Sequence, residues 1–412
     1  MSKPFEGLKV LDLTTFVAAP CVCRLLADLG AEVIKVEKPT GDGWRQTSLT
    51  YCSGRFTLDE NPVYDYYNAG KKHIVLDLKT DEGKELFDKL MAQSDIFVTN
   101  TRLGGLQRLG FSYDDIKEKY PRLIYAMIEG YGEKGEDAAT AAYDTTAFWA
   151  RCGMLRDLAV VDDETGAYNP IYPPSSVGDT VTAFLTLSQI NAALYSREKT
   201  GKGQLVKSGL FHTGIFTFGT MQVANQRKVQ KMAYPRKRYY HSQLAGYYKC
   251  SDGEYLYVAT GVVQQTFERL CRAIGREDCI TDERYSTMKG RYEHAKEFID
   301  LVNAEFIKKP RAEWIKICKS VDLAVTPVNG FADVSEDPQA IANGYVEDVT
   351  FRSGETLKMA ACPIHMSSME GEDMSTHPAP LTGANTDEVL KDIGLTDDQI
   401  KALHAKGIID AR

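Results

Sequence analysis

Short apolar runs alternate with stretches of helical period through the first half of the chain. Leu8 to Leu13 has strand character, and Pro20 to Leu29 has the period of a helix with proline near its first turn. Gly30 closes that helix, and Glu32 to Glu37 predicts the next strand. The alternation repeats. Ile74 to Leu78 predicts a strand, Asp81 to Ala92 a helix capped by Thr80 or Asp81, and Ile96 to Thr99 and Leu123 to Ile128 two further strands. After Asp179, the residues Val181, Phe184, Leu185, Leu187, Ile190 and Leu194 fall mostly on one helical face, up to Thr200-Gly201-Lys202-Gly203. Leu205 to Ser208 is strand-like, and Leu210 to Asn225 reads as one helix. Units of this length imply a largely parallel sheet with helices on its faces.

A basic, tyrosine-rich connector from Gln226 to Tyr240 ends this pattern. Beyond it, Tyr247-Tyr248-Lys249 and Tyr255-Leu256-Tyr257-Val258 flank Ser251-Asp252-Gly253, a hairpin signal. Helices are expected at Gln264–Ile274 and Glu293–Lys308, and Thr396 is a capping candidate for a last amphipathic helix. The fold class is therefore α/β: a large Rossmann-like domain with a parallel sheet over residues 1–225, a smaller α+β domain over 226–325, and a segment over 326–412 returning to the large domain.

Composition narrows the function. A net charge of −8 argues against general nucleic-acid or anionic-membrane binding, so a polyanionic ligand needs a local group of Lys and Arg. Nine scattered cysteines suit reduced thiols in a cytoplasm, and the N-terminus lacks the apolar core of a signal peptide. Cys21-Val22-Cys23 lacks a second pair at zinc-site spacing, and the histidines lack the HExxH pattern, so no metal is expected.

Asp179, in Ser175-Ser176-Val177-Gly178-Asp179-Thr180, is the leading candidate for chemistry. A carboxylate at a helix start feels the positive end of the helix, is expected to stay ionised, and can attack an activated acyl carbon. On local sequence alone the plainer reading prevails, since Asp is a favoured N-cap. Lys38 and Arg45 follow the second strand, Lys71 precedes the third, and Arg102 and Arg108 follow the fourth. In open α/β folds ligands sit beyond the carboxyl ends of strands, so this group is either a phosphate site or a set of solvated charges. Glu37 sits where a dinucleotide fold has its ribose contact, but the loop Thr14 to Pro20 has no glycine to admit a pyrophosphate.

Taken together, the segments Leu8 to Leu13, Leu26 to Glu37, Asn68 to Leu78, Asp95 to Asn100, Gly130-Tyr131-Gly132, Gly178-Asp179 and Thr200 to Gln204 resemble, in order, the class III CoA-transferases. That resemblance implies coenzyme A and acyl-CoA as substrates rather than a resident cofactor. It implies that Asp179 is the nucleophile, forming first an aspartyl–acyl anhydride and then an aspartyl-CoA thioester. It places CoA contacts at Lys38, Lys71, Asn100 and Arg108, with Arg45 and Arg102 nearby, and implies an interlocked homodimer.

The same superfamily holds α-methylacyl-CoA racemases, whose histidine position aligns with Tyr143. A phenol, with an ordinary pKa of about 10, is a poor α-proton exchange partner at neutral pH, which favours the transferase. Ala18 stands where formyl-CoA transferases carry a glutamine, and the segment around Tyr240 replaces their glycine-rich loop. Ala18, Tyr143 and Tyr240 are thus the substrate-side candidates. The chain is most similar to the branch acting on 2-hydroxy acids, cinnamoyl-CoA:phenyllactate and 2-hydroxyisocaproate CoA-transferases, which implies a functional link to a 2-hydroxyacyl-CoA dehydratase. Another acid such as carnitine, and a CoA-binding protein without turnover, stand as alternatives.

Overall fold

The computed structural model describes residues 3–52, 54–161, 165–169, 171–226, 244–259 and 263–410. Two compact units emerge: Met1–Gly153, Pro173–Val229 and Pro338–Arg412 form one, and Met154–Tyr172 with Gln230–Asp337 the other. The smaller unit thus takes Met154–Tyr172 from the first half, a segment that the sequence pattern leaves with the larger domain.

In the larger unit, β1 (Lys9–Leu13), α1 (Ala18–Asp28), β2 (Glu32–Glu37), α2 (Gly43–Ser48), α3 (Pro62–Asn68), β3 (Lys72–Val75), α4 (Asp81–Ala92), β4 (Ile96–Thr99), α5 (Leu103–Leu109) and β5 (Ile124–Glu129) follow in chain order. A π-helical stretch at Asp144–Ala150, the long α6 (Val177–Thr200), β6 (Leu205–Gly209) and α7 (Leu210–Thr217) complete the first run. The strands form a sheet of order β3-β2-β1-β4-β5-β6, parallel throughout. A parallel sheet needs cover on both faces, and the strand period of two supplies it. Val10, Ile96, Ile124 and Ala126 pack with Leu25 and Leu26 of α1 and Leu187 and Ile190 of α6. The alternate residues Leu11, Phe97, Tyr125 and Met127 pack with Phe87 and Leu90 of α4 and with Leu390 and Leu403 near the C-terminus.

Two expected elements come out differently. The third strand ends at Val75 rather than Leu78, because the N–H of Asp77 donates to the Ile408 carbonyl of the C-terminal segment (2.8 Å). The helix expected over Leu210–Asn225 stops at Thr217 and resumes at Gly219, a residue of poor helical propensity. Thr80 caps α4, its hydroxyl accepting from the Gly83 N–H at 3.0 Å.

The smaller unit has its own sheet and core. The hairpin of β7 (Gly246–Lys249) and β8 (Tyr255–Val258) pairs with β9 (Val325–Pro327), all antiparallel. Gly253, with φ +84°, makes the turn. Phe267 and Leu270 of α8 (Val263–Ala273), Phe298 and Val302 of α9 (Ala295–Phe306) and Trp314 of α10 (Arg311–Ser320) fill its interior.

Candidate active site

Strand order reverses between β1 and β4, so the loops leaving their carboxyl ends diverge and open a crevice there. Asn100 ties the two loops together: its Oδ1 accepts from the Thr15 N–H (3.0 Å) and its Nδ2 donates to the Thr15 carbonyl (2.7 Å). A cavity of about 970 Å³ opens at this point. Both loops, the end of β5, the π-helical stretch and the start of α6 line it.

Two non-glycine residues on the cavity wall, Phe16 (φ +66°) and Ser176 (φ +70°), have left-handed backbones. Each such conformation costs about 1–3 kcal/mol and persists only where its surroundings hold it. For Phe16 the holder is Asp42, the N-cap of α2. Its Oδ1 accepts from the Thr15 hydroxyl, the Phe16 N–H (3.2 Å) and the Trp44 N–H (2.9 Å), and its Oδ2 lies 3.0 Å from the Lys35 ammonium. Lys35 also donates to the Thr14 carbonyl at 2.9 Å. Asp42 is itself positioned by its N–H donating to Glu37 (2.8 Å). Buried charge here fixes a loop rather than meeting solvent.

Asp179 is the third residue of α6 and lines the cavity. Gly178 before it is required by packing: a Cβ there would lie 2.2 Å from Phe148 Cγ and 2.3 Å from Asp144 Oδ1. The π-helical stretch thus presses directly on the turn that carries Asp179. Asp144 is buried, and neither of its oxygens has a hydrogen-bond partner of normal geometry among the described residues. Its carboxylate faces the N–H groups of Ser176, Gly178 and Asp179 without closing a well-aligned bond to any of them.

Burial pushes the Asp179 carboxyl up to about 7, and repulsion from Asp144 adds to the rise. Burial raises Asp144 as well, against the pull of the facing N–H groups. This corrects the expectation that the helix end keeps Asp179 fully ionised. The positive end of α6 is turned toward Asp144, so desolvation decides the charge of Asp179.

The other expected site residues divide into two groups. Ala18, Asn100, Arg102, Arg108 and Tyr143 line the same cavity as Asp179, with Arg102, Arg108 and Tyr143 exposed. Among the described residues that line it, Arg102 and Arg108 are the cations. Lys38 is exposed beyond β2 and is not part of the lining.

Arg45 and Lys71 require correction as ligand contacts. Arg45 is buried, clamps Glu37 through Nε (3.0 Å) and Nη2 (2.8 Å), and lies over the Tyr64 ring. Lys71 is fully enclosed, paired with Asp12 at 2.9 Å and donating to the Pro20 carbonyl and Asn68. Their charges are consumed inside the fold, where no phosphate reaches them. Tyr240 lies outside the described residues.

Sequence reasoning missed Asp42, Asp144 and the aromatic residues Phe16, Trp44 and Tyr51. Asp42 was within reach, because Gly41-Asp42-Gly43-Trp44 carries an N-cap signature ahead of a helix. Among the described residues, no group of three or more His, Cys, Asp or Glu is placed to hold a metal ion, and no helix is long and apolar enough to cross a membrane.

The model for CoA-transferase family III matches residues 5–386. The (R)-2-hydroxy-4-methylpentanoate CoA-transferase of Clostridioides difficile is 35% identical over 395 residues, covering 96% of each chain. The cinnamoyl-CoA:phenyllactate CoA-transferase of Clostridium sporogenes is 35% identical over 402 residues, covering 97% of this chain and 95% of the relative. A CAIB/BAIF family protein from Brucella suis superposes with a TM-score of 0.79 at 26% identity, covering 95% of this chain and 100% of the other.

Proposed function

This chain belongs to CoA-transferase family III, and on that premise we propose that it moves coenzyme A from an acyl-CoA or 2-enoyl-CoA to a 2-hydroxy acid, such as (R)-2-hydroxyisocaproate or (R)-phenyllactate, through a covalent intermediate on Asp179. The observation that carries the proposal is the placement of the Asp179 carboxyl on a cavity at the sheet's switch point, with Arg102 and Arg108 on the same lining.

The Asp179 carboxylate attacks the thioester carbonyl and expels CoA thiolate, giving an aspartyl–acyl anhydride. The thiolate attacks the Asp179 carbonyl of that anhydride and releases the donor acid, leaving an aspartyl-CoA thioester. The acceptor carboxylate attacks this thioester, CoA leaves again, and the thiolate takes the acceptor's acyl group from the second anhydride. Asp179 is regenerated and no water is consumed. Energy is conserved because every bond broken is replaced by an acyl bond of comparable reactivity.

Arg102 and Arg108 supply cations for CoA phosphates, and exposed Lys38 is a third candidate. Asn100 acts through Thr15 as a positioning residue, and Ala18 and Tyr143 border the acyl side. In this reading the enzyme is a cytoplasmic homodimer in anaerobic amino-acid fermentation, feeding a 2-hydroxyacyl-CoA dehydratase. Its free thiols fit a reducing compartment.

The test is a panel of acyl-CoA donors against lactate, 2-hydroxyisocaproate, phenyllactate, carnitine and oxalate. Highest kcat/KM for a 2-hydroxy acid supports the proposal. Preference for carnitine or oxalate contradicts it.

A further inference from the structure

Phe16, Trp44, Tyr51 and Tyr143 all line the cavity that holds Asp179, and their rings stand in series. Tyr143 meets Phe16 edge-on at 5.6 Å, Phe16 meets Trp44 at 6.2 Å, and Trp44 meets Tyr51 at 5.9 Å. Both ends of the series reach the nucleophile's surroundings. Tyr143 immediately precedes Asp144, and the Tyr51 hydroxyl donates to Ser175 Oγ (3.3 Å), next to Ser176, the N-cap of α6.

Phe16 occupies the middle, and its backbone is the costly part of the arrangement. A bulky residue with φ +66° is tolerated only where other groups dictate it, and here Asp42 and the Asn100–Thr15 clamp do so. The ring is half-buried: it packs against the core beneath the sheet and also borders the cavity. Strain held in place to aim a ring at a cavity points to ligand contact.

We infer that Phe16 is the specificity-determining residue of this site, the centre of an aromatic wall that selects an aryl side chain over a short aliphatic one. Aromatic faces and edges pack a flat ring in offset or edge-on geometry, whereas a methyl group leaves most of such a wall uncovered. The inference rests on CoA transfer to carboxylic acids as proposed above, and it narrows the acid.

The experiment uses Phe16→Gly. Glycine adopts the left-handed backbone without strain, so the loop keeps its course and only the ring is lost. Wild type and variant are assayed with four acceptors: phenyllactate, lactate, 3-phenylpropanoate and propanoate. The phenyl pairs read the wall, and the hydroxyl pairs read the 2-hydroxy-acid assignment. The wall predicts that wild type prefers each aryl acid, and that the variant lowers the aryl-to-alkyl ratio of kcat/KM at least tenfold. Phe16→Leu should fall between them. An unchanged ratio, or a wild type that favours the alkyl acids, overturns the wall. Aryl preference without hydroxyl preference overturns the 2-hydroxy-acid assignment and leaves the wall standing. Absence of transfer to all four overturns both.

Discussion

Replacing Asp179 by Asn should abolish CoA transfer and at the same time stabilise the protein in a pH-dependent way. Burial and Asp144 lift the Asp179 carboxyl from its ordinary 3.8 to about 7. The folded state therefore binds a proton more tightly than the unfolded chain does. Wild-type stability falls as pH rises from about 4 to about 7, then levels off, because ionising the half-buried, desolvated group opposes folding. A rise of about 3 units corresponds to about 4 kcal/mol at full effect, and water entering the cavity reduces this to about 2 kcal/mol. Asparagine carries no such penalty. For a unit of this size, about 2 kcal/mol raises Tm by about 4–8 °C. Thermal unfolding without CoA, followed at pH 5 and pH 8, is the assay. The Tm advantage of Asp179→Asn should be large at pH 8 and much smaller at pH 5. An advantage independent of pH, or a variant less stable than wild type at pH 8, would refute the reasoning.

Four other outcomes follow from the same geometry. The rate of adduct formation from acyl-CoA should rise with pH to a plateau just above 7, and Asp144→Asn should move that acid limb to lower pH, as read from single-turnover kinetics. Arg108→Ala should raise KM for acyl-CoA about tenfold with an unchanged Tm. Lys71→Met should instead reduce soluble yield and Tm, because it leaves Asp12 buried without its nearest cation at a cost of about 3–5 kcal/mol. Gly178→Ala should lose activity and stability together, since its methyl group meets Phe148 and Asp144; a fully active, stable variant counts against the close packing of the π-helical stretch on α6.

The parallel sheet and its major helices are legible in the sequence because burial on both faces makes the strands short, continuous apolar runs, while α1 and α4 keep a helical period. The face expected for α6 is only partly the buried one: Leu187 and Ile190 are enclosed, but Phe184 and Leu185 are exposed while Thr182, Ala183 and Thr186 are buried. Asp179 is legible as a position, but its charge state is not. That depends on Asp144, which lies 35 residues earlier and meets the start of α6 only in the folded chain. The basic residues show the same limit. Arg45 and Arg108 look alike in sequence, yet Glu37 and His73 enclose one, while the other reaches the cavity rim. Phe16 has a strained backbone that no local signal announces, because the restraint comes from Asp42 and Asn100 across the strand ends.

Trapping on the nucleophile tests the central claim most directly. The protein is incubated with a donor acyl-CoA, treated with hydroxylamine, digested, and examined by peptide mass spectrometry. A hydroxamate on Asp179 that appears only with acyl-CoA, and is absent from Asp179→Asn, is the predicted result. Steady CoA transfer with Asp179 unmodified, or a hydroxamate on another carboxylate, would contradict the account.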